Sequence, residues 1–261
     1  MIFRPFKSEW IKLRRRRLWY GSYGAIAGVV VMTTVVRIAG ATHRVGSSGN
    51  LTLTQLARAG GLAQGVTGST ILLGAVSLSI AAAQFGGEFA HGTLRNLLVR
   101  EPRRARLIVG NGLAILSFIV GAVAAATVVD IGAAFVMAHA RGVTTAAWTS
   151  GTGMGDLGIA VGDMAIAVCG FAIVGMILGI LLKSSVIAIA TGLAVLLPVE
   201  TIFTDAVPET ARWLPGHLLE AVAQGGTSVA GFAAALVTVS AYLAGAVAVT
   251  LLVFARRDVT S

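Results

Sequence analysis

The chain has 261 residues, of which 56% are hydrophobic and only 12% charged, and its mean hydropathy is +0.86. A soluble domain usually carries about 25% charged residues, so too little polar surface is present to cover a water-soluble fold. The net charge of +9 would suit nucleic acid, but the basic residues flank apolar stretches, which fits anionic lipid headgroups instead.

The length divides into apolar runs of about 20 residues, each able to cross a hydrocarbon layer of about 30 Å. Backbone groups in lipid must be satisfied within the segment, so the spans are expected to be helices. A strand barrel would need alternating polar and apolar residues; runs such as 71–83 and 168–182 are apolar on every side. The expected fold is an all-α integral membrane protein with six spans, at roughly 21–39, 64–85, 106–138, 159–182, 185–203 and 229–254. Residues 21–261 form one transmembrane domain.

Residues 1–20 form an element of their own. Phe3, Phe6, Trp10 and Leu13 recur at helical spacing, with Arg4, Lys7 and Arg14 on other faces. Such a helix lies in the membrane interface, anchored by Trp10, Arg14, Arg15, Trp19 and Tyr20. The basic start, the apolar run and Ala39-Gly40-Ala41 together imitate a secretion signal. Five further spans make an uncleaved first helix the better reading.

After the second span comes Gln84-Phe-Gly-Gly-Glu88-Phe-Ala-His-Gly92-Thr93-Leu94-Arg95, then Pro102-Arg103-Arg104-Ala105-Arg106. Phe89, Leu94, Leu97 and Leu98 give a short amphipathic helix over about 87–99, ended by Pro102. The third span is long and holds Asp130. Asp163 sits near the start of the fourth span and Glu200 near the end of the fifth. A charge at mid-membrane costs about 2.5–3.5 kcal/mol on insertion scales, so these carboxylates should face protein or water. They are candidates for a translocation path, or for helix–helix pairing with Arg37 as a partner.

Lys183-Ser184 alone separates the fourth and fifth spans, so that turn is tight. Gly24-x-x-x-Gly28 and Gly175-x-x-x-Gly179 allow close helix packing, including between two copies. In 204–228, Leu214, Leu218, Leu219 and Val222 suggest a short amphipathic helix. Cys169 is the single cysteine, which excludes a disulfide within the chain, and no His or Cys cluster marks a metal site.

Lysine and arginine set the orientation. With the N-terminus inside, the inner segments carry fifteen of them and the outer segments five: Arg37, Arg44, Arg58, Arg141 and Arg212. Both termini are therefore expected in the cytoplasm, in a bacterial inner membrane.

The run Glu88-x-x-x-Gly92-Thr93-Leu94-Arg95, followed by Pro102-Arg103-x-x-Arg106, resembles the coupling-helix region of ABC-2 type permeases, the membrane subunits of many bacterial ABC exporters. The opening Ser8-Glu9-Trp10-x-Lys12-Leu13 is similar to that family's elbow helix, and Phe254-x-Arg256-Arg257-Asp258 to its closing segment. The resemblance covers both ends, the first inner loop and the six-span plan; residues 140–228 add no match. It implies that two such subunits, identical or related, join two ATP-binding subunits. Glu88, Gly92, Thr93, Leu94 and Arg95 would then touch the ATPase, and ATP and Mg would be bound on that partner. The implied cargo is an amphipathic drug, an antimicrobial peptide or a lipid, moved outward. Neither a cofactor on this chain nor a nucleic-acid partner is implied.

The residues agree on the division of labour. A phosphate-binding loop needs glycines before its Lys-Ser; Lys183-Ser184 has Leu182 and Ile177 at those positions, so energy must come from elsewhere.

Rival functions remain. Gly153-Met154-Gly155-Asp156 matches the GxGD pattern of intramembrane aspartyl proteases, with Asp130 as the second carboxylate. However, it falls in a Gly-rich outer loop, and the Pro-Ala-Leu element of those enzymes is missing. HExxH is absent, which excludes that class of metalloprotease. A non-transporting sensor or immunity subunit would use the same fold and ATPase. An ion-coupled carrier would need no ATPase.

Overall fold

Long apolar runs, with Pro198 the one proline inside them, leave the backbone one way to satisfy its own hydrogen bonds, and the described segments are overwhelmingly helical. A computed structural model describes residues 16–41, 52–90 and 104–256. The anchoring residues Trp10, Arg14 and Arg15, and the coupling residues Gly92, Thr93, Leu94 and Arg95, lie outside the described residues.

The helices are α1 (Arg16–Ala39), α2 (Leu53–Leu56), α3 (Gly61–Thr67), α4 (Thr70–Ala90), α5 (Arg104–Ala140), α6 (Gly151–Leu182), α7 (Ser185–Ala194), α8 (Glu200–Ala206), α9 (Pro215–Ala223) and α10 (Phe232–Arg256). A π-helical stretch, Val195–Val199, joins α7 to α8, and a 3-10 turn, Pro208–Arg212, precedes α9. Six helical stretches are long and apolar enough to cross a membrane: Trp19–Ala39, Gly61–Ala90, Arg106–Ala140, Gly151–Leu182, Ser185–Ala206 and Phe232–Phe254. The second combines α3 and α4 across Gly68–Ser69, and the fifth combines α7, the π stretch and α8.

Large apolar side chains cover the outside of the bundle. Val128, Val136, Val186, Ile202 and Val237 are all exposed. Water would not tolerate so continuous an apolar exterior, whereas lipid requires it. The fold is that of a multi-pass membrane protein.

Six crossings put the start of α1 and the end of α10 at one end of the bundle, called proximal here, with the α4–α5 and α6–α7 connections. The distal end holds α2, α3, α8 and α9. At the proximal end Trp19, 38% exposed, stacks on Tyr23 with ring centroids 4.6 Å apart, and Tyr23 meets Phe118 edge-on at 5.2 Å. Tyr20 is exposed beside them. Such an aromatic group suits a headgroup layer.

The centre of the bundle is the α4–α6 pair, with α1 on α5 as the next largest interface. Small residues set the α4–α6 spacing. A side chain at Gly175 would collide with the Leu78 backbone, and one at Gly179 would stand 3.0 Å from the Ala82 carbonyl. The Gly175-x-x-x-Gly179 pattern is thus used inside the chain. A side chain at Gly24 or Gly28 would meet nothing within 4 Å among the described residues, so that pair sets no helix spacing there.

The turn between α6 and α7 needs two residues. Lys183 takes the left-handed conformation (φ 53°) and its N–H donates to the Gly179 carbonyl at 3.1 Å, closing α6. Ser184 then caps α7 by accepting from the Ile187 N–H at 3.5 Å. The next residue ties the turn to α4, because the Ser185 hydroxyl donates to the Ala83 carbonyl at 3.1 Å.

Candidate functional site

The most developed site lies at the distal end, where α9 folds back against the fifth crossing. Pro215 opens α9, which suits a first-turn position that needs no N–H. The residue before it, Leu214, has no side-chain acceptor for the free amides of the first turn. Glu200 supplies one from α8. Its Oε1 accepts from the Gly216 N–H at 3.0 Å and its Oε2 from the His217 N–H at 3.1 Å. A carboxylate at a helix N-terminus also meets the positive end of the helix dipole. Glu200 is 2% exposed, so this cap is sheltered from water.

Backbone irregularity leads up to that carboxylate. Pro198 lies in the π stretch immediately before α8. Proline lacks an N–H and crowds the preceding turn, and a wider π turn relieves both. The fifth crossing therefore loosens one turn before Glu200.

Between the π stretch, α6 and α9 lies a cavity of about 500 Å³. Phe171, Leu196 and Ile71 give its apolar wall, and Glu200, His217 and Glu220 its polar one. The His217 Nδ1 stands 3.8 Å from Glu220 Oε2. The His217 Nε2 is buried and has no hydrogen-bond partner among the described residues. Glu220 Oε1 accepts from the Gln224 amide at 2.8 Å.

A smaller cavity of about 190 Å³ lies nearby, lined by Gln64, Thr67, Asp156, Asp163 and Gln224 among others. Asp163 is half-buried there. The GxGD motif is not in a loop: Gly153 to Asp156 sit in the first turns of α6, which Ser150 caps by accepting from the Gly153 N–H at 3.1 Å. Glycine usually disfavours helix, but the cap and the apolar run behind it outweigh that local cost.

Asp130 belongs to neither cavity. It is 0% exposed between α1 and α5, and its Oδ2 accepts from the Thr34 hydroxyl at 3.0 Å. Its Oδ1 has no hydrogen-bond partner among the described residues. The expected partnership with Arg37 is absent among those residues. Arg37 donates to the Gln64 carbonyl at 3.0 Å and lies across Gly68. Its place at the break between α3 and α4 puts it within reach of that carbonyl, which also accepts from the Thr67 hydroxyl at 3.5 Å. The three carboxylates read as one path in the sequence therefore occupy three separate settings. Asp130 and Asp156 likewise do not share a cavity, whereas a proteolytic pair must share a proton.

At the proximal end Glu88 falls in the last turn of α4, not at the start of a separate helix. Its Oε1 accepts from the Asn111 amide of α5 at 3.4 Å. Phe89 meets Phe254 of α10 edge-on at 6.1 Å. The hydrophobic run simply continues through Glu88, so α4 carries it as far as Ala90.

Sequence reading missed the distal clasp. The Trp148 indole N–H donates to the Leu56 carbonyl at 2.7 Å, and the Arg141 guanidinium to the Ala41 carbonyl at 2.8 Å. Trp148 is buried, with Phe135 edge-on at 5.3 Å. Only the tryptophan in the short loop between α5 and α6 signalled a buried anchor.

The family model described as "Protein of unknown function (DUF2705)" matches residues 29–260, and the chain belongs to that family. No curated protein matches the chain.

Proposed function

We propose that this member of the family is the permease subunit of an ATP-driven exporter, moving an amphipathic substrate from the proximal toward the distal side. A separate ATP-binding subunit, with its own ATP and Mg, supplies the energy by pushing on the segment between α4 and α5. Two permease and two ATP-binding subunits form the complex, in a bacterial cell membrane with both termini cytoplasmic.

The observation that carries this reading is the mechanical continuity of α4. In sequence, its last turn is followed after one residue by Gly92, Thr93, Leu94 and Arg95. Its body is keyed to α6 at Gly175 and Gly179, and to α7 through Ser185 and Ala83. A push on that segment is a push on α4, and α4 cannot move without α6 and α7. Along α7 the displacement reaches the π stretch at Pro198 and then Glu200, which holds α9. A packed pair of helices transmits motion as rigid bodies, and the loosened turn is where the angle changes. Further support comes from the resemblance of the 88–106 run and of both chain ends to ABC-2 permeases, and from the excess of basic residues in the proximal segments.

The test is retrieval of the partner with a tagged chain, followed by its ATPase activity with the permease present. Glu88→Lys, or Gly92→Trp, should lower permease-stimulated ATPase activity about tenfold, the effect of losing a contact worth about 1.4 kcal/mol. The protein should remain folded by thermal unfolding. Full stimulation in both variants, or recovery of the chain without any ATP-binding protein, sinks the assignment.

A further inference from the structure

The cavity beside Glu200 has the size of a small-ligand site, for which about 300–1,000 Å³ is ordinary. Its lining is mostly apolar, and its titratable side chains are Glu200, His217 and Glu220, with no lysine or arginine among the described residues. Any group with a negative charge would meet two carboxylates and nothing to offset them. One side is open beside Thr201 and Ile202, which are exposed. In a bilayer that side faces lipid, so an occupant arrives from the membrane with an apolar part leading or trailing.

The polar wall specifies more than charge. The Glu200 carboxylate uses one lone pair on each oxygen for α9, out of about four acceptor sites. Glu220 Oε2 stands 3.8 Å from the His217 Nδ1. The His217 Nε2 is buried without a hydrogen-bond partner among the described residues. The two carboxylates beside one apolar cleft keep lone pairs open, which call for a cation with several N–H donors. A quaternary ammonium has the charge but no donor. A zwitterionic phospholipid with an ethanolamine head brings a phosphate that the carboxylates repel.

We propose that this cavity binds single-chain amphiphiles carrying a protonated primary amine. The ammonium lies between Glu220 and Glu200, and the alkyl chain lies along Leu196, Phe171 and Ile71. As the cargo site of the exporter it deepens the transport reading and rests on it; the binding is measured without ATP or an ATPase, so either can fail alone.

The full chain is placed in phosphatidylcholine nanodiscs and exposed to an alkylamine bearing a diazirine on its chain. Labelled peptides are then mapped by mass spectrometry. Saturable labelling of residues 196–202 and 215–220 is expected. Dodecylamine should displace it about tenfold more effectively than dodecyltrimethylammonium, which has no N–H to donate. Dodecyl sulfate should fail to compete. Glu220→Gln should weaken labelling severalfold, and it leaves the α9 cap in place, so a folding defect at Glu200 does not enter. Labelling spread evenly over the lipid-facing spans, or equal competition by all three amphiphiles, overturns the proposal. So does its loss in nanodiscs containing phosphatidylethanolamine, which would make the occupant a bulk headgroup. A disulfide between two copies at Ile202→Cys that abolishes labelling in a Cys169→Ser background would show that a second copy covers the cleft, and also overturns it.

Discussion

Glu200 illustrates how a residue's meaning depends on what folding brings to it. In the sequence it is a carboxylate near the end of an apolar run, and expense alone suggested a path. In the fold it caps a helix that begins fifteen positions later with no cap of its own. Glu200→Ala would strand two buried N–H groups, each at about 1–3 kcal/mol. The expected result is a large fall in the thermal unfolding midpoint in detergent, with about half that fall for Glu200→Gln, which keeps one acceptor oxygen. Equal midpoints for wild type and both variants would remove the cap from the account. Asp130 is the opposite case, since Thr34 answers one oxygen and the other has no hydrogen-bond partner among the described residues. The sequence could locate both carboxylates in the bundle. Neither partner could be read from it, because the Gly216 and His217 amides and the Thr34 hydroxyl are ordinary groups made special only by proximity.

Among the elements, spans were legible and their uses were not. Hydropathy over some 20 residues reports burial in lipid, a property of composition, so the six crossings were readable at once. It cannot report how far helix continues beyond the lipid. At 37 residues, α5 is about 55 Å long, well beyond the hydrocarbon thickness, so it tilts or projects past the interface. The same blindness hid the first turns of α6 behind a glycine-rich stretch and let α4 run through Glu88. The two glycine patterns looked alike in sequence, and only packing separates them. Gly175→Leu should cost about 1–3 kcal/mol or more, because the Leu78 backbone cannot retreat as a side chain would. Gly28→Leu faces open space and should leave the unfolding midpoint nearly unchanged. A monomer that tolerates both equally would contradict the α4–α6 spacing described above.

For the whole molecule, the two ends of the bundle carry different machinery. The distal end is clasped by Trp148, Arg141 and the Glu200 cap, whereas the proximal end gathers the aromatic side chains Trp19 and Tyr23, the turn at Lys183 and the connection after Ala90. Because Cys169 is the only cysteine, sidedness can be read directly. In a Cys169→Ser background, a cysteine at Thr93 should react with a thiol reagent only after the cell membrane is made permeable. One at Glu209, in the distal 3-10 turn, should react in intact cells. The reverse pattern would invert the orientation and with it the proposed direction of transport. The charge asymmetry supplies the expected orientation without any coordinates, because lysine and arginine respond to the lipid surface and not to tertiary contacts. The route from Ala90 through α4 and α7 to Glu200 was not readable, since it depends on which small residues touch.

Lys183 and Ser184 are the whole link between two crossings. A tether this short cannot wait for its second arm: whichever machine threads the nascent chain into the bilayer must deliver both arms together, already antiparallel, as one hairpin. The fourth and fifth crossings are therefore expected to enter the bilayer as one unit, and a chain cut short between them should leave a groove where α7 belongs.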